Sequence, residues 1–317
     1  MKSGRDRARG RAGGSNRPRR AARAAGVLAA LPWLLPVAPA SGADGPVRAV
    51  SHAAEGDVSR AMAYWTPGRM ASATPVAGRG ADVVPPTGAP DGVPAAQAGS
   101  GSRVVGALFF QGGDGDHYCT ASVVRSAGRS LLLTAAHCLY DPRTRRWHGD
   151  IVFVPKYSAG ARPYGTWPVR LMVADRRWTD DGDPDADVGF AVVRPVHGRR
   201  LADVVGGNWL LIGQGYENDV TVIGYPAVAS FPADQPIWCV ARTFRQAAHQ
   251  MGFDCAGFYG GTSGSPWIVG YDDRTESGYV IGTVGGYQRG GIYDWRSYSP
   301  VFGRDVARLA ETADART

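Results

Sequence analysis

The chain has 317 residues, a formal net charge of +7 and a hydrophobic fraction of 44%. Residues 1–40 carry nine basic side chains and one acidic one, a net charge of +8, which leaves −1 for the rest of the chain. The composition therefore excludes an extended basic surface of the kind that binds nucleic acid. The length fits one large domain or two small ones.

Residues 1–43 have the pattern of a secretory signal peptide. An arginine-rich stretch leads into the apolar run AAGVLAALPWLLPVAPA, which is too short and too interrupted by proline to cross a bilayer. Small residues near positions 38–43 offer two cleavage sites, between which the sequence does not decide. No later segment is long and apolar enough to be an anchor. We therefore expect a secreted, extracellular protein with no membrane partner after cleavage.

Residues 44–101 are rich in Ala, Gly and Pro, and their composition predicts a largely disordered pro-segment or linker. One island, AYWTP at residues 63–67, is apolar enough to dock on the folded part. The folded domain is then expected to span residues 102–317.

From Arg103 onward, short apolar runs alternate with turn residues, which is typical of β-strands. Eleven runs have this character: VVGALFF, CTASVVRS, SLLLTA, IVFVP, WPVRLMVA, VGFAVVR, DVTVIGYP, IWCVART, PWIVG, GYVIGTVGG and SPVFG. Only GRDVARLAETA, residues 303–313, has helical spacing, with Val306, Leu309 and Ala310 on one face. The pattern predicts an all-β fold, a sandwich or a barrel pair, with a C-terminal helix.

Four cysteines in a secreted chain are expected to pair, and four allow three connectivities. Cys119 and Cys138 are close in sequence, and so are Cys239 and Cys255. We expect each pair to close a short loop.

Three polar residues lie beside apolar strands in the order His, Asp, Ser. His137 follows a strand in SLLLTAAHCLY, Asp187 precedes one in DPDADVGFAVVR, and Ser263 lies in the glycine-rich loop FYGGTSGSPWIVG. Taken singly, each has an ordinary explanation: a histidine at a strand end, a solvated aspartate, a serine in a turn. Together they match the residue types of a nucleophile, a base and the group that orients the base.

TAAHC, DVGFAVV and GTSGSP resemble the three signature segments of the trypsin-like serine proteases. GGTSGSP with VTVIGYP is most similar to the bacterial, glutamyl-endopeptidase-like branch, and the similarity covers about residues 103–312. The resemblance implies two packed antiparallel six-stranded β-barrels. It also implies a serine endopeptidase activity on protein or peptide substrates, and a bridge between Cys119 and Cys138.

The resemblance also implies a role for each site residue. Ser263 would be the nucleophile, His137 the general base and acid, and Asp187 the residue that orients His137. The N–H groups of Gly261 and Ser263 would form the oxyanion hole.

The sequence departs from the family just before the nucleophile, where Thr262 replaces an aspartate that often pairs with a newly freed N-terminus. Ser102-Arg103-Val104 resembles an activation junction, but the usual ion-pair switch cannot operate. We expect maturation to remove an obstructing zymogen segment and the mature chain to start between about residues 95 and 105.

The substrate pocket has no charged residue at the position that usually decides specificity. By resemblance its residues are Gly257, Tyr259, Gly285 and Tyr287, with Tyr298 as a further candidate. A preference for Arg or Lys is not expected, because Gly257 takes the place of the basal aspartate. Alternatively, these tyrosines only pack on the surface of the barrel and do not line the pocket.

No cofactor or metal is expected. Asp181, Asp183, Asp185 and Asp187 alternate as in calcium loops, but no bidentate glutamate follows, which favours a solvated polar loop. We expect a monomer, because no motif indicates an oligomer. A non-catalytic homologue that binds protein or glycan, and an esterase of small substrates, are the alternatives to a protease.

Overall fold

The computed structural model describes residues 48–53, 58–76, 88–226 and 235–316. The predicted signal peptide, residues 1–43, lies outside them. Among the described residues, no helix has the length and apolar character needed to cross a bilayer.

The described residues form strands, five short α-helices and three 3₁₀ turns. The strands are β1 (Ala49–Ala53), β2 (Thr74–Pro75), β3 (Gln97–Ala98), β4 (Val105–Gln111), β5 (Asp116–Val124), β6 (Leu131–Thr134), β7 (Tyr140–Asp141), β8 (Arg146–Trp147), β9 (Gly149–Pro155), β10 (Trp167–Asp175), β11 (Gly189–Val193), β12 (Trp209–Leu210), β13 (Asp219–Gly224), β14 (Ile237–Ala247), β15 (Gln250–Asp254), β16 (Pro266–Asp272), β17 (Ser277–Thr283) and β18 (Arg296–Pro300). The helices are α1 (Val58–Tyr64), α2 (Pro67–Ser72), α3 (Arg176–Asp181), α4 (Leu201–Val205) and α5 (Arg304–Asp314), and the 3₁₀ turns are Ala136–Cys138, Pro184–Ala186 and Tyr287–Gly290.

The first half is a closed barrel of six antiparallel strands in the order β4-β5-β6-β11-β10-β9, with β9 returning to β4. Its strands are buried on most of their residues, and β4 is buried from Val105 to Phe110. Such continuous burial is expected when one face fills the barrel and the other is covered by neighbouring elements.

The second half is a sheet with the order β12-β17-β16-β13-β14-β15-β18. The last strand, β18, meets the β17 region near the opposite end of the sheet through single contacts, in which the Gly285 N–H donates to the Tyr298 carbonyl at 3.0 Å and the Thr283 N–H donates to the Ser299 hydroxyl at 2.9 Å. No strand ladder between β17 and β18 closes the sheet in the described residues. The structure thus has one closed barrel and a second large sheet, where two closed barrels were expected.

The C-terminal helix was predicted correctly within one residue at each end. Val306, Leu309 and Ala310 are buried, and the helix packs on β10 and β11 against Leu171 and Phe190. The other four helices were not expected, because each is too short to show a helical hydrophobic period.

The N-terminal stretch departs from the expectation of disorder. β1 pairs with β10 over five residues, β2 pairs in parallel with β5, and β3 pairs with β14. Trp65, in the apolar island, is 1% exposed, and its indole N–H donates to the Asp150 carbonyl at 2.6 Å. The average composition of this segment did not reveal the docking, because the buried area comes from a few large side chains.

Candidate active site

His137 and Asp187 form a buried hydrogen-bonded couple. His137 lies in the 3₁₀ turn after β6, and Asp187 directly follows the turn Pro184–Ala186 before β11. Because β6 and β11 are paired, their adjacent ends bring together two residues that are 50 positions apart. His137 Nδ1 lies 2.8 Å from Asp187 Oδ2, and the His137 backbone N–H donates to Asp187 Oδ1 at 2.9 Å.

The couple fixes the protonation pattern of the imidazole. An ionised carboxylate only accepts hydrogen bonds, so we assign the proton to Nδ1 and the lone pair to Nε2. Nε2 is buried and has no hydrogen-bond partner among the described residues. In the tautomer so assigned, Nε2 carries no proton and no protein group competes for its lone pair, so it can accept a proton.

A backbone amide completes the surroundings of the carboxylate. The Gly286 N–H donates to Asp187 Oδ2 at 2.9 Å. Gly285, which the resemblance assigns to the substrate pocket, has no side chain that could bond this carboxylate. The main chain one residue further on supplies the donor instead.

The Ser263 loop packs on β5, next to the strand that leads to His137. The Thr120 N–H donates to the Ser263 carbonyl at 2.7 Å. A Cβ at Gly264 would collide with the Thr120 carbonyl oxygen, so only glycine allows this approach. The disulfide Cys119–Cys138 joins the neighbour of Thr120 to the neighbour of His137. The Ser263–His137 hydrogen bond is not formed here, as is common in unliganded sites.

Two buried residues of this loop have backbone N–H groups that bond to none of the described residues. Neither the Gly261 nor the Ser263 N–H donates to another group in the part of the chain that the structure describes. Gly261 has φ of +92°, and its carbonyl accepts from the Thr120 hydroxyl at 3.0 Å, which fixes the peptide. Buried N–H groups are rarely left unpaired, so a pair of them indicates a place for an acceptor atom of a ligand.

A cavity of about 580 Å³ opens beside His137. Its lining includes Val76 from the N-terminal segment, and also Asp141 and Arg289, which form an ion pair at 3.9 Å. His137 itself is only 2% exposed. The access to the imidazole is therefore narrow in this conformation.

The predicted pocket residues lie on two segments that both contact the stretch Asp294–Tyr298. The Gly257 N–H donates to the Asp294 carbonyl at 3.0 Å, and burial, together with a hydrogen bond to Asp294, raises the pKa of Tyr259. On the other side, Tyr287 packs edge-on against Tyr298 with ring centroids 5.3 Å apart. Tyr287 is 43% exposed and Tyr298 is buried, so packing accounts for Tyr298 but not for Tyr287.

Both predicted disulfides are present, Cys119–Cys138 and Cys239–Cys255. Within the described ranges, one group has metal-ligand spacing, and it consists of His137 with the two cysteines of the first bridge. Thiolate is the form of cysteine that binds metals, so the bridge removes this possibility.

The acidic loop uses its carboxylates within the protein. Asp183 Oδ1 accepts from the Asp185 N–H at 2.9 Å, Asp185 Oδ1 accepts from Gln250 at 2.7 Å, and Asp187 faces His137. These carboxylates support local structure and do not converge on a common point.

His148 is a supporting residue that no sequence motif singles out. Its Nε2–H donates to the His137 carbonyl at 3.2 Å, and its ring stacks on Phe110. Burial lowers the pKa of His148 to about 4, which keeps the ring neutral. Its role depends on the spatial pairing of β4 with β9, which sequence spacing does not reveal.

Solved structures resemble this fold over most of the described chain. The protease Anisep from Arthrobacter nicotinovorans has a TM-score of 0.63 and 28% identity, covering 69% of this chain and 99% of that one. A thermostable serine protease, AL20, from an extremophilic microorganism has a TM-score of 0.62 and 28% identity, covering 68% and 99%. A Glu endopeptidase in complex with MPD has a TM-score of 0.56 at 14% identity, covering 71% and 98%, a likeness of fold alone.

No protein-family model and no curated protein matches the chain. The structural comparisons confirm the resemblance drawn from TAAHC and GTSGSP: the chain has the trypsin-like fold, and its structural homologues are serine proteases.

Proposed function

We propose that the protein is a secreted serine endopeptidase that cleaves peptide bonds through an acyl-enzyme. The observation that carries the proposal is the His137–Asp187 couple with its unpartnered Nε2, beside a Ser263 loop that holds two unpaired N–H groups. Homology to proteases supports peptides as the substrate class.

In the proposed reaction the Ser263 hydroxyl attacks the carbonyl carbon while its proton passes to His137 Nε2. Asp187 holds the tautomer and stabilises the imidazolium without taking the proton. The N–H groups of Gly261 and Ser263 face the oxyanion, and each such donor contributes roughly 3–4 kcal/mol in related chemistry. The C–N bond then breaks, the leaving amine takes the proton from His137, and water repeats the sequence on the ester.

The pocket favours an uncharged side chain at the cleaved position. Gly257 contributes no charge, and Tyr287 presents a partly exposed ring. We propose an apolar or small preference, and assign the pocket to Gly257, Tyr259, Gly285 and Tyr287.

We also propose that the N-terminal segment restrains the site until it is removed. A Cβ at Gly260 would lie 3.0 Å from the Pro75 side chain, so β2 runs against the loop that carries Gly261. Val76 donates to the Tyr118 carbonyl at 3.4 Å and lines the same cavity as His137. Secretion is supported by the leader-like sequence and by two disulfides, which persist in oxidising compartments.

The test is digestion of a complex peptide library by the secreted, processed protein, beside Ser263→Ala, with cut sites read by mass spectrometry. The proposal expects cuts that vanish in the variant and labelling of Ser263 by a fluorophosphonate. Hydrolysis of aryl esters without peptide cuts would indicate the esterase. A folded protein that neither cuts nor labels would be a binding protein, and the proposal would be wrong.

A further inference from the structure

Gln250 is a buried amide beneath the candidate site. It is the first residue of β15, is 4% exposed, and reaches between the two segments that meet at Asp187. Its side chain does not contact His137, so a role would be exerted through other groups.

One end of the amide holds the turn that carries Asp187. Gln250 Nε2 donates to the Pro184 carbonyl at 3.1 Å and to Asp185 Oδ1 at 2.7 Å. Both acceptors belong to the 3₁₀ turn that immediately precedes Asp187. The orientation of the turn is thereby tied to the second half of the molecule.

The other end holds the segment that supplies the carboxylate with its backbone donor. Gln250 Oε1 accepts from the Tyr287 N–H at 3.0 Å, and the preceding residue, Gly286, donates to Asp187 Oδ2. The Gln250 side chain therefore connects the turn that precedes Asp187 to the segment that contains the Gly286 N–H.

We infer that Gln250 is a positioning residue that fixes Asp187 and Gly286 relative to each other, and through them the orientation of the His137 ring. The inference rests on the proposed function. With the present neighbours, one end of the side chain must accept a hydrogen bond and the other must donate, which a carboxylate, an ammonium group or an apolar side chain cannot do. Small displacements in such a couple cost activity steeply, about 100-fold for about 1 Å.

The decisive variants separate the two ends. Gln250→Glu keeps an acceptor for the Tyr287 N–H but sets a second carboxylate against Asp185 and the Pro184 carbonyl. Adding Asp185→Asn to it restores a donor on the opposite side of that hydrogen bond. We expect kcat to fall about 10- to 100-fold in Gln250→Glu with little change in KM, and to recover largely in the double variant. Asp185→Asn alone is expected to stay near wild type, because its amide can turn its oxygen toward Gln250.

Asn208→Ala is the matched control. Asn208 is a fully buried amide that accepts from the Gly278 N–H at 3.0 Å, away from His137. It is expected to lower the urea midpoint without changing the pH profile of kcat. If Gln250→Glu lowers only the stability and leaves kcat and its pH profile unchanged, Gln250 is only structural and the inference is wrong. The same conclusion follows if kcat does not recover in the double variant.

A measurement that does not depend on catalysis separates this inference from the proposed function. In the full chain with Ser263→Ala, the His137 Nδ1 proton is expected to give a low-field NMR resonance that Gln250→Glu shifts or broadens and the double variant restores. If wild-type protein fails to cut peptides but the resonance follows this pattern, the positioning role stands and the protease assignment falls. If peptides are cut but neither the resonance nor kcat changes in Gln250→Glu, the protease assignment stands and the positioning role is wrong.

Discussion

Asp187 uses both carboxylate oxygens, and this determines what its amide analogue would do. In Asp187→Asn the new NH₂ group must face either the His137 backbone N–H, at the Oδ1 position, or both His137 Nδ1–H and the Gly286 N–H, at the Oδ2 position, and all of these groups are donors. We expect kcat to fall about 10⁴-fold at neutral pH with KM little changed. Steady-state kinetics on a cleaved peptide measures this, with Asp183→Asn as the neighbouring control. A loss confined to KM would contradict the orienting role.

His148 makes the stability of the fold depend on pH. Its pKa is about 4 in the folded protein, below the ordinary value of 6.5, so the unfolded chain binds a proton first as the pH falls. The stabilisation is complete above about pH 6.5 and is lost between about pH 6.5 and pH 4, roughly 3 kcal/mol in all.

His148→Gln keeps a donor for the His137 carbonyl but does not titrate. Urea unfolding of both proteins from about pH 7 to about pH 4 is expected to give a flatter dependence for the variant. Parallel losses in the two proteins would assign the acid sensitivity to other groups.

Residue identities at the candidate site were predictable where a side chain performs the chemistry. His137, Asp187 and Ser263 follow from strand-flanking motifs, and the structure brings the first two into contact. Gly286 was not predictable, because its contribution is a main-chain N–H that carries no sequence signature. Gln250 was missed because its partners lie more than 30 residues away in sequence.

At the level of elements, alternation and turn residues were enough to locate the strands of the closed barrel. Among the longer strands of the second sheet, β15 was missed, because QMGFD has a polar start and a glycine at its centre. That glycine is required by the Phe244 ring on the paired strand, against which a Cβ at Gly252 would collide. The run SPVFG placed the last strand too far toward the C-terminus, because β18 spans Arg296–Pro300.

Because the N-terminal elements dock beside the Ser263 loop, we predict that loosening them makes Ser263 more accessible. Trp65 packs on Phe109 with ring centroids 5.4 Å apart and anchors the helices that precede β2. In the chain that retains this segment, Trp65→Ala is expected to speed fluorophosphonate labelling of Ser263, because Pro75 would leave the Gly260 loop more often. Stopped-time labelling with mass spectrometry measures the rate.

Trp209→Ala is the matched control, since that tryptophan is 54% exposed. If limited proteolysis shows the segment released in Trp65→Ala while the labelling rate is unchanged, the segment does not restrain the site.

At the scale of the whole molecule, the two halves share one hydrophobic cluster, in which Ile223 and Ile268 of the second sheet join the barrel core. Near their junction the Arg103 N–H donates to Glu276 Oε2 at 2.6 Å, and Glu276 also pairs with Lys156 at 2.7 Å. Thr262, at the usual partner position, instead donates to the Tyr259 carbonyl at 2.7 Å. A chain cut near Arg103 would therefore place its new amine beside a carboxylate other than the usual one.

We predict a mature N-terminus between about residues 95 and 105. N-terminal sequencing of fully active material checks this prediction. A start near residue 44 in such material would show that the segment is retained during activity.

Both disulfides are local: Cys119 pairs with Cys138 in the first half, and Cys239 with Cys255 in the second. No described covalent bridge joins the halves to each other. One backbone cut anywhere between residues 139 and 238 would leave two polypeptides held together only by non-covalent contacts. Such nicked molecules would stay intact in native solution yet run as two bands on a denaturing gel without any reductant. A cut within either small ring would stay hidden on that gel until thiol was added.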